Sequence, residues 1–360
     1  MCSATSLPSA NNSRRRESNP ICHPPFDFFR MSETRDLENN LERFQEKFAE
    51  LKNEIQKAIV GYDELLSDTL VAVFARGHLL LEGVPGLGKT YLVQNLSKAM
   101  GLKPGRIQCT PDLMPADILG THIVNENEEG RRVLDFEPGP VFANLILVDE
   151  VNRATPKTQA ALLEVMQEGA VTAGGETMPL PKPFFVMATQ NPMEMEGTYP
   201  LPEAQADRFL FKLRVPFPDK ETLVEISKRT AAFDTPLLNQ VITEEELVAS
   251  QKVVASVPVS DHITDYAARL VLGTHPEEGE RLDAVTQYIS YGASPRGMQA
   301  LIRGARVYCA LEGRTAVSVD DVNRVALPAL RHRVILNFQG EAESTDVDAL
   351  VEEVIASTGE

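Results

Sequence analysis

Gly83-Val84-Pro85-Gly86-Leu87-Gly88-Lys89-Thr90 sets glycines, a lysine and a hydroxyl at the spacing GxxxxGK[ST]. At average residue usage such a match arises in roughly one chain of this length in a hundred, so its surroundings decide its meaning. The apolar run His78–Glu82 precedes it as a strand, and an amphipathic helix opens at Lys89. That is the setting in which the loop binds nucleotide phosphates. Glycines let backbone N–H groups approach phosphate oxygens, and the helix N-terminus adds its positive dipole end. Lys89 would contact the β- and γ-phosphates, and the Thr90 hydroxyl would hold Mg2+.

A second apolar run, Leu145-Ile146-Leu147-Val148, ends in the carboxylates Asp149 and Glu150. Unbroken apolar runs suit strands buried on both faces of a parallel sheet, and ligands of such sheets bind beyond the carboxyl ends of the strands. Beside a phosphate loop the two acids divide into two tasks. Asp149 would orient Mg2+, and Glu150 would polarise an attacking water. No Asn-Lys pair of a guanine reader occurs, which favours ATP.

Three further polar residues close elements of their own. Asn191, in Ala188-Thr189-Gln190-Asn191-Pro192, is placed to hold water or the γ-phosphate, although Asn-Pro is also a common turn. Arg208 ends the short helix Pro202–Phe209, and Arg296 follows the cap Ser294-Pro295 of a later helix. Arg208 is suited to neutralise charge on a transferred phosphoryl group, and Arg296 to reach the nucleotide across the cleft between the two domains. The plainer reading of each is local: a surface ion pair for Arg208 with Asp207 or Glu203, and a helix-start residue for Arg296.

Strands are expected at His78–Glu82, Arg106–Cys109, Asn144–Asp149, Phe184–Thr189 and Phe211–Val215. They alternate with helices at Lys89–Met100, Pro156–Glu168 and Pro202–Phe209, which implies an α/β fold, a parallel sheet with helices on both faces. Two β-hairpin inserts are expected at Gly120–Phe136 and Gly169–Pro183. Leu37, Leu41, Phe44, Phe48, Leu51, Ile55 and Ile59 step by four and three along an earlier helix, which Gly61 ends. The expected organisation is an extension at 1–30 ahead of a start at Met31, a helix at 31–60 and an α/β core at 61–218. An all-α lid at 219–340 and an acidic tail at 341–360 complete it.

The 360 residues carry 35 Lys+Arg and 52 Asp+Glu, a net charge of −17. The first thirty are net +2, and the last twenty hold seven acids and no base. A field of this sign disfavours nucleic-acid backbones. Arg131, Arg132 and Lys182 in the inserts are the local exception, and they keep a nucleic-acid motor as an alternative. No apolar run approaches the ~18 residues of a membrane helix. Cys2, Cys22, Cys109 and Cys309 are scattered, as in reduced, cytoplasmic proteins.

Taken together, Gly83–Thr90, Gln108–Gly120, Gly139–Arg153, Gln159–Glu168, Ala188–Pro192, Gly197–Phe209 and Ser294–Gly297 resemble the MoxR family of AAA+ ATPases. The likeness spans roughly residues 50–340. It implies a P-loop NTPase (AAA+) fold with the lid following the core, and Mg-dependent ATP hydrolysis in a ring, typically a hexamer. It implies Walker A roles for Lys89 and Thr90, Walker B roles for Asp149 and Glu150, and sensor 1 for Asn191. Arg208 becomes a finger acting on the neighbouring subunit. Arg296 becomes sensor 2, open between its own subunit and the next. The resemblance further implies a chaperone-like role in maturing a protein complex, with a partner bearing a von Willebrand factor A domain. A scaffold with little turnover is the other alternative, and the presence of both Glu150 and Arg208 weighs against it.

Overall fold

The computed structural model describes residues 26–84, 86–126, 132–192, 197–231, 236–277 and 282–359. Cys2, Cys22, Pro85, Arg131 and the expected extension up to residue 25 lie outside them.

Helix α1 (Phe26–Gln56) begins before the expected residue 31. Pro24 and Pro25 are the last residues before it that oppose helix, so nothing in the sequence stops it at Met31. Its buried Leu41, Phe44, Phe48, Leu51 and Ile55 form one stripe. Phe44 meets Phe74 of α2 (Asp63–Phe74) at 5.0 Å between ring centroids. The core then runs β1 (Leu79–Glu82), α3 (Lys89–Met100), β2 (Pro104–Gln108) and α4 (Pro115–Leu119). A hairpin follows, β3 (Gly120–Glu126) with β4 (Arg132–Pro138), and then β5 (Leu145–Asp149) and α5 (Pro156–Glu168). A second hairpin, β6 (Ala170–Ala173) with β7 (Glu176–Pro179), turns on Gly174 and Gly175, both left-handed. The core closes with β8 (Phe185–Gln190), α6 (Glu203–Ala206) and β9 (Phe211–Arg214).

Five strands form one parallel sheet in the order β2-β5-β8-β1-β9. Alternation sorts their side chains. Leu79, Leu81, Leu145, Leu147, Phe185 and Met187 join one core with α1, α2, α3 and the lid. Leu80, Ile146, Val148, Val186 and Ala188 join the other, with α5 and Phe209. Each large aliphatic side chain so buried contributes about 1.5–3 kcal/mol.

The rest of the chain comprises α7 (Lys220–Ala231), α8 (Glu244–Ser256), α9 (Asp261–Gly273), α10 (Asp283–Tyr288) and β10 (Ile289–Tyr291). After these come α11 (Pro295–Leu311), α12 (Val319–Leu330), β11 (Ile335–Leu336), α13 (Phe338–Ala342) and α14 (Val347–Thr358). Two expectations change here. The lid is not wholly α, because β10 and β11 pair antiparallel. Residues 341–360 are not a solvated tail: α14 buries Leu350, Val351 and Val354 against α9 and α12. Its acids lie outside that stripe, and Asp348 pairs with Arg331 and Arg214.

The lid rests on the β9 side of the core. Tyr308 of α11 donates to Asp68 of α2 at 2.6 Å. Arg333, almost fully buried, donates to Asp207 at 2.8 Å and to the carbonyls of Asp207, Phe209 and Leu210.

Candidate active site

The phosphate loop leaves β1 under tight constraint. Gly83 N–H donates to the Gln190 carbonyl (3.2 Å), and Val215 N–H to that of Glu82 (2.8 Å). A Cβ on Gly83 would come within 2.9 Å of Val215 Cβ, so the close approach requires glycine. Gly88 is required for a different reason: its φ of +76° is left-handed although space is open around it. It caps α3, whose first N–H groups lack intrahelical partners and are free for an anion. Lys89 Nζ donates to the Gly83 carbonyl. Burial lowers the lysine's pKa, opposed by the charges of Asp149 and Glu150.

Those carboxylates stand at the same end of the sheet. Asp149, paired with Gln108 in the β2–β5 register, is buried, and its Oδ2 accepts from Arg106 Nε at 3.0 Å. Glu150 lies just past the strand in left-handed backbone, φ +55°. Its N–H donates to Thr189 Oγ1 at 2.9 Å, and its carboxylate accepts from Arg153 at 3.0 Å and Gln108 at 3.4 Å. A non-glycine residue held there carries strain of order 1 kcal/mol, a feature that clusters at active sites. Asn191, 5% exposed, follows β8, between β5 and β1. One end of the sheet therefore gathers Gly83, Lys89, Thr90, Asp149, Glu150 and Asn191.

Thr90 and Asp149 offer one hydroxyl and one carboxylate. Mg2+ prefers oxygen donors and takes few of them from protein when phosphates and waters supply the rest. No group of three or more His, Cys, Asp or Glu side chains gathers as a metal cage among the described residues. The donor set fits Mg2+ held jointly with a nucleotide.

Several residues at this site escaped sequence reasoning. Arg106, Gln108 and Arg153 each hold one of the two acids, the first two through strand register and Arg153 through a turn of 3-10 helix. A cavity of about 730 Å3 continues from Gly86–Lys89 and is lined by Ile59, Val60, Tyr91, Phe217, Leu223 and Ile226, among others. Its size and apolar walls suit a nucleobase. The signal available was Ile59-Val60-Gly61, an apolar pair running on past the helix into a glycine. That glycine is left-handed, and a Cβ on it would collide with Thr222.

Arg208 and Arg296 lie elsewhere. Phe211 pairs with Leu79 in parallel register, so Arg208 sits before the N-terminal ends of β9 and β1. The phosphate loop begins after their C-terminal ends, about 13 Å away along the strands at ~3.3 Å per residue. Helix α6 is shorter than the expected Pro202–Phe209, because Asp207 turns toward the lid to meet Arg333. Arg208 Nη1 donates to the Leu163 carbonyl at 2.7 Å, while its buried Nε has no partner among the described residues. Arg296 reaches Asp207 at 3.4 Å, and the Ser294 hydroxyl donates to the same carboxylate at 2.7 Å. Arg208 and Arg296 thus line one cavity together, and no described residue of the phosphate loop lines it.

Residues 78–211 match the ATPase family associated with various cellular activities (AAA), and residues 281–354 match the AAA lid domain. The chain is 43% identical over 302 residues to Chaperone MoxR1 of Mycobacterium tuberculosis, covering 84% of this chain and 79% of that protein. It is 31% identical over 340 residues to Protein MoxR of Paracoccus denitrificans, covering 89% of this chain and 98% of the relative. A solved structure from Cytophaga hutchinsonii aligns with a TM-score of 0.83 at 39% identity, over 90% of this chain and 98% of that one.

Proposed function

The chain belongs to the MoxR family of AAA+ ATPases, and we propose that it hydrolyses ATP in a site shared between neighbouring subunits of a ring. The observation that carries this reading is the split across the sheet. Phosphate-binding and acidic groups occupy one end, and Arg208 and Arg296 the other. Neither end is a complete phosphoryl-transfer site alone. Stacked head to tail around a ring, one subunit's arginine end meets the next subunit's nucleotide end.

In this reading the apolar cavity beside Ile59 and Val60 takes the base. The N–H groups from Gly83 to Thr90 and the Lys89 ammonium cradle the phosphates. Thr90 and Asp149 hold Mg2+, which when bound neutralises charge on the β- and γ-phosphoryl oxygens. Glu150 accepts the proton of the attacking water, with Asn191 beside it. Arg208 and Arg296 act from the neighbour on charge developing at the γ-phosphoryl group. Placing Arg296 on the neighbour's nucleotide agrees with its position next to Arg208.

The ring is taken as hexameric, and its work as chaperone-like remodelling or maturation of a protein complex in the cytoplasm. The relative named as a chaperone supports that role, and a von Willebrand factor A domain protein is the proposed partner. The nucleic-acid alternative gains no support: the chain carries −17, and Arg132 stands opposite Glu126 in the first hairpin. Among the described residues no helix is long and apolar enough to cross a membrane.

The test is Glu150→Gln. It removes a general base and keeps the loop, so ATP affinity should hold while turnover falls at least about a hundredfold. Fluorescent-nucleotide titration and phosphate release measure the two. Unchanged turnover would remove Glu150 from its role.

A further inference from the structure

The cavity beside Arg208 and Arg296 holds more positive charge than the chain itself compensates. It is about 200 Å3 in volume and lined by Arg76, Arg208, Arg296, Arg303 and Arg333, with Asp207 as its carboxylate. Arg296 and Arg333 share that carboxylate. Arg303 donates to the carbonyls of Ala75 and Arg76, and Arg208 to that of Leu163. His78 adds no charge near neutral pH, because burial brings its pKa down to about 4.

Arg76 stands apart from these. Its side chain is exposed and pairs with no carboxylate among the described residues. It also occupies left-handed backbone, φ +58°, just past α2. Glycine or asparagine is the usual residue in that conformation after a helix, so the arginine is held at a conformational cost. The next residue, Gly77, packs closely on Leu210, where a Cβ would lie 2.4 Å from Leu210 Cβ. Among the described residues no side-chain hydrogen bond or ion pair offsets an arginine at this position. In a chain of −17 a cluster of uncompensated arginines points to an anion from outside the subunit.

We infer that Arg76 is a third subunit-crossing arginine, contacting the phosphates of the neighbour's nucleotide alongside Arg208 and Arg296. This rests on the shared-site reading above. Position supports it. Arg76 precedes β1, Arg208 precedes β9, and these strands are parallel neighbours. The Leu210 N–H donates to the His78 carbonyl at 2.8 Å and ties the two approaches together. A triphosphate spreads charge over adjacent phosphoryl groups, and each guanidinium covers a pair of oxygens. Arginines from three segments therefore fit one ligand.

The test uses Arg76→Gly in the full chain, with phosphate release from ATP as readout. Glycine removes the cation and relieves the left-handed strain. The expected result is an equal or higher Tm with turnover lowered about tenfold or more. A merely structural arginine would lower Tm instead. Mixing the variant with Glu150→Gln subunits should restore turnover above either variant alone. Intact nucleotide ends would then meet Arg76 from the Glu150→Gln neighbours. Arg208→Ala mixed with Glu150→Gln serves as the control. Recovery in the control alongside full turnover of Arg76→Gly overturns the role of Arg76 and leaves the shared site standing. So does turnover lost in Arg76→Gly that mixing does not recover. Failure of the control to recover overturns the shared site, and this inference with it.

Discussion

At the scale of single residues, placement was legible where it is local. The glycines, Lys89 and Thr90 share one stretch of backbone, and Asp149 and Glu150 follow their own strand. Arg106, Gln108 and Arg153 were not legible, because they reach the acids through β2–β5 register and a turn of 3-10 helix at Val151–Arg153. His78 is another residue the sequence presents as an ordinary strand start. Val186 N–H donates to its Nδ1 at 3.0 Å, which leaves the ring proton on Nε2 to donate to the Met166 carbonyl at 3.1 Å. Burial brings its pKa down from the usual 6.5 to about 4. Between those values the unfolded chain binds the proton and the folded chain does not. The stabilisation is therefore complete above about pH 6.5 and is lost as pH falls toward 4. His78→Gln should flatten the decline in unfolding free energy between pH 7 and 5 by about 2 kcal/mol. Urea denaturation at the two pH values measures it, and parallel declines in variant and parent would refute it.

At the scale of elements, strands and long helices were legible from period and punctuation. Lys89–Met100 and Pro156–Glu168 form as expected, bounded by glycine at 101 and by the Thr155 cap. The C-terminal helix was not legible, because seven acids dominate its segment's composition while the apolar positions Leu350, Val351 and Val354 are few. Burial then decides: Leu350→Ala should destabilise the protein by about 3 kcal/mol, whereas a solvated tail would show no change in Tm. The link between core and lid makes a second demand. Asp207 faces Arg333, whose side chain is 2% exposed, and also meets Arg296 and Ser294. Asp207→Ala would leave a buried guanidinium without its counter-charge, a loss of about 3–5 kcal/mol. Asp207→Asn keeps an oxygen acceptor and should lose less. Chemical denaturation ranks the two, and equal stability of Asp207→Ala and parent would show that the pair does not hold the lid.

At the scale of the whole molecule, the AAA+ fold was legible because the order of the sequence blocks is the order of the strands and loops. The position of the arginines was not. Sequence order gives no distance from Arg296 to the phosphate loop; that follows from strand polarity and from the lid's seat against α2 and β9. The same geometry dictates a kinetic order. The reach from Arg208 to the loop within one subunit spans the length of the sheet, and no side chain covers it. On the proposed shared site, turnover then depends on encounters between subunits that each carry −17. The specific ATPase rate with Mg2+ present should rise with protein concentration and level off as the assembly fills. Arg208→Ala should stay low along the whole curve while binding nucleotide normally. A rate per subunit that is flat down to concentrations where sizing shows only monomer would mean that one chain completes its own site, and would sink the shared-site reading.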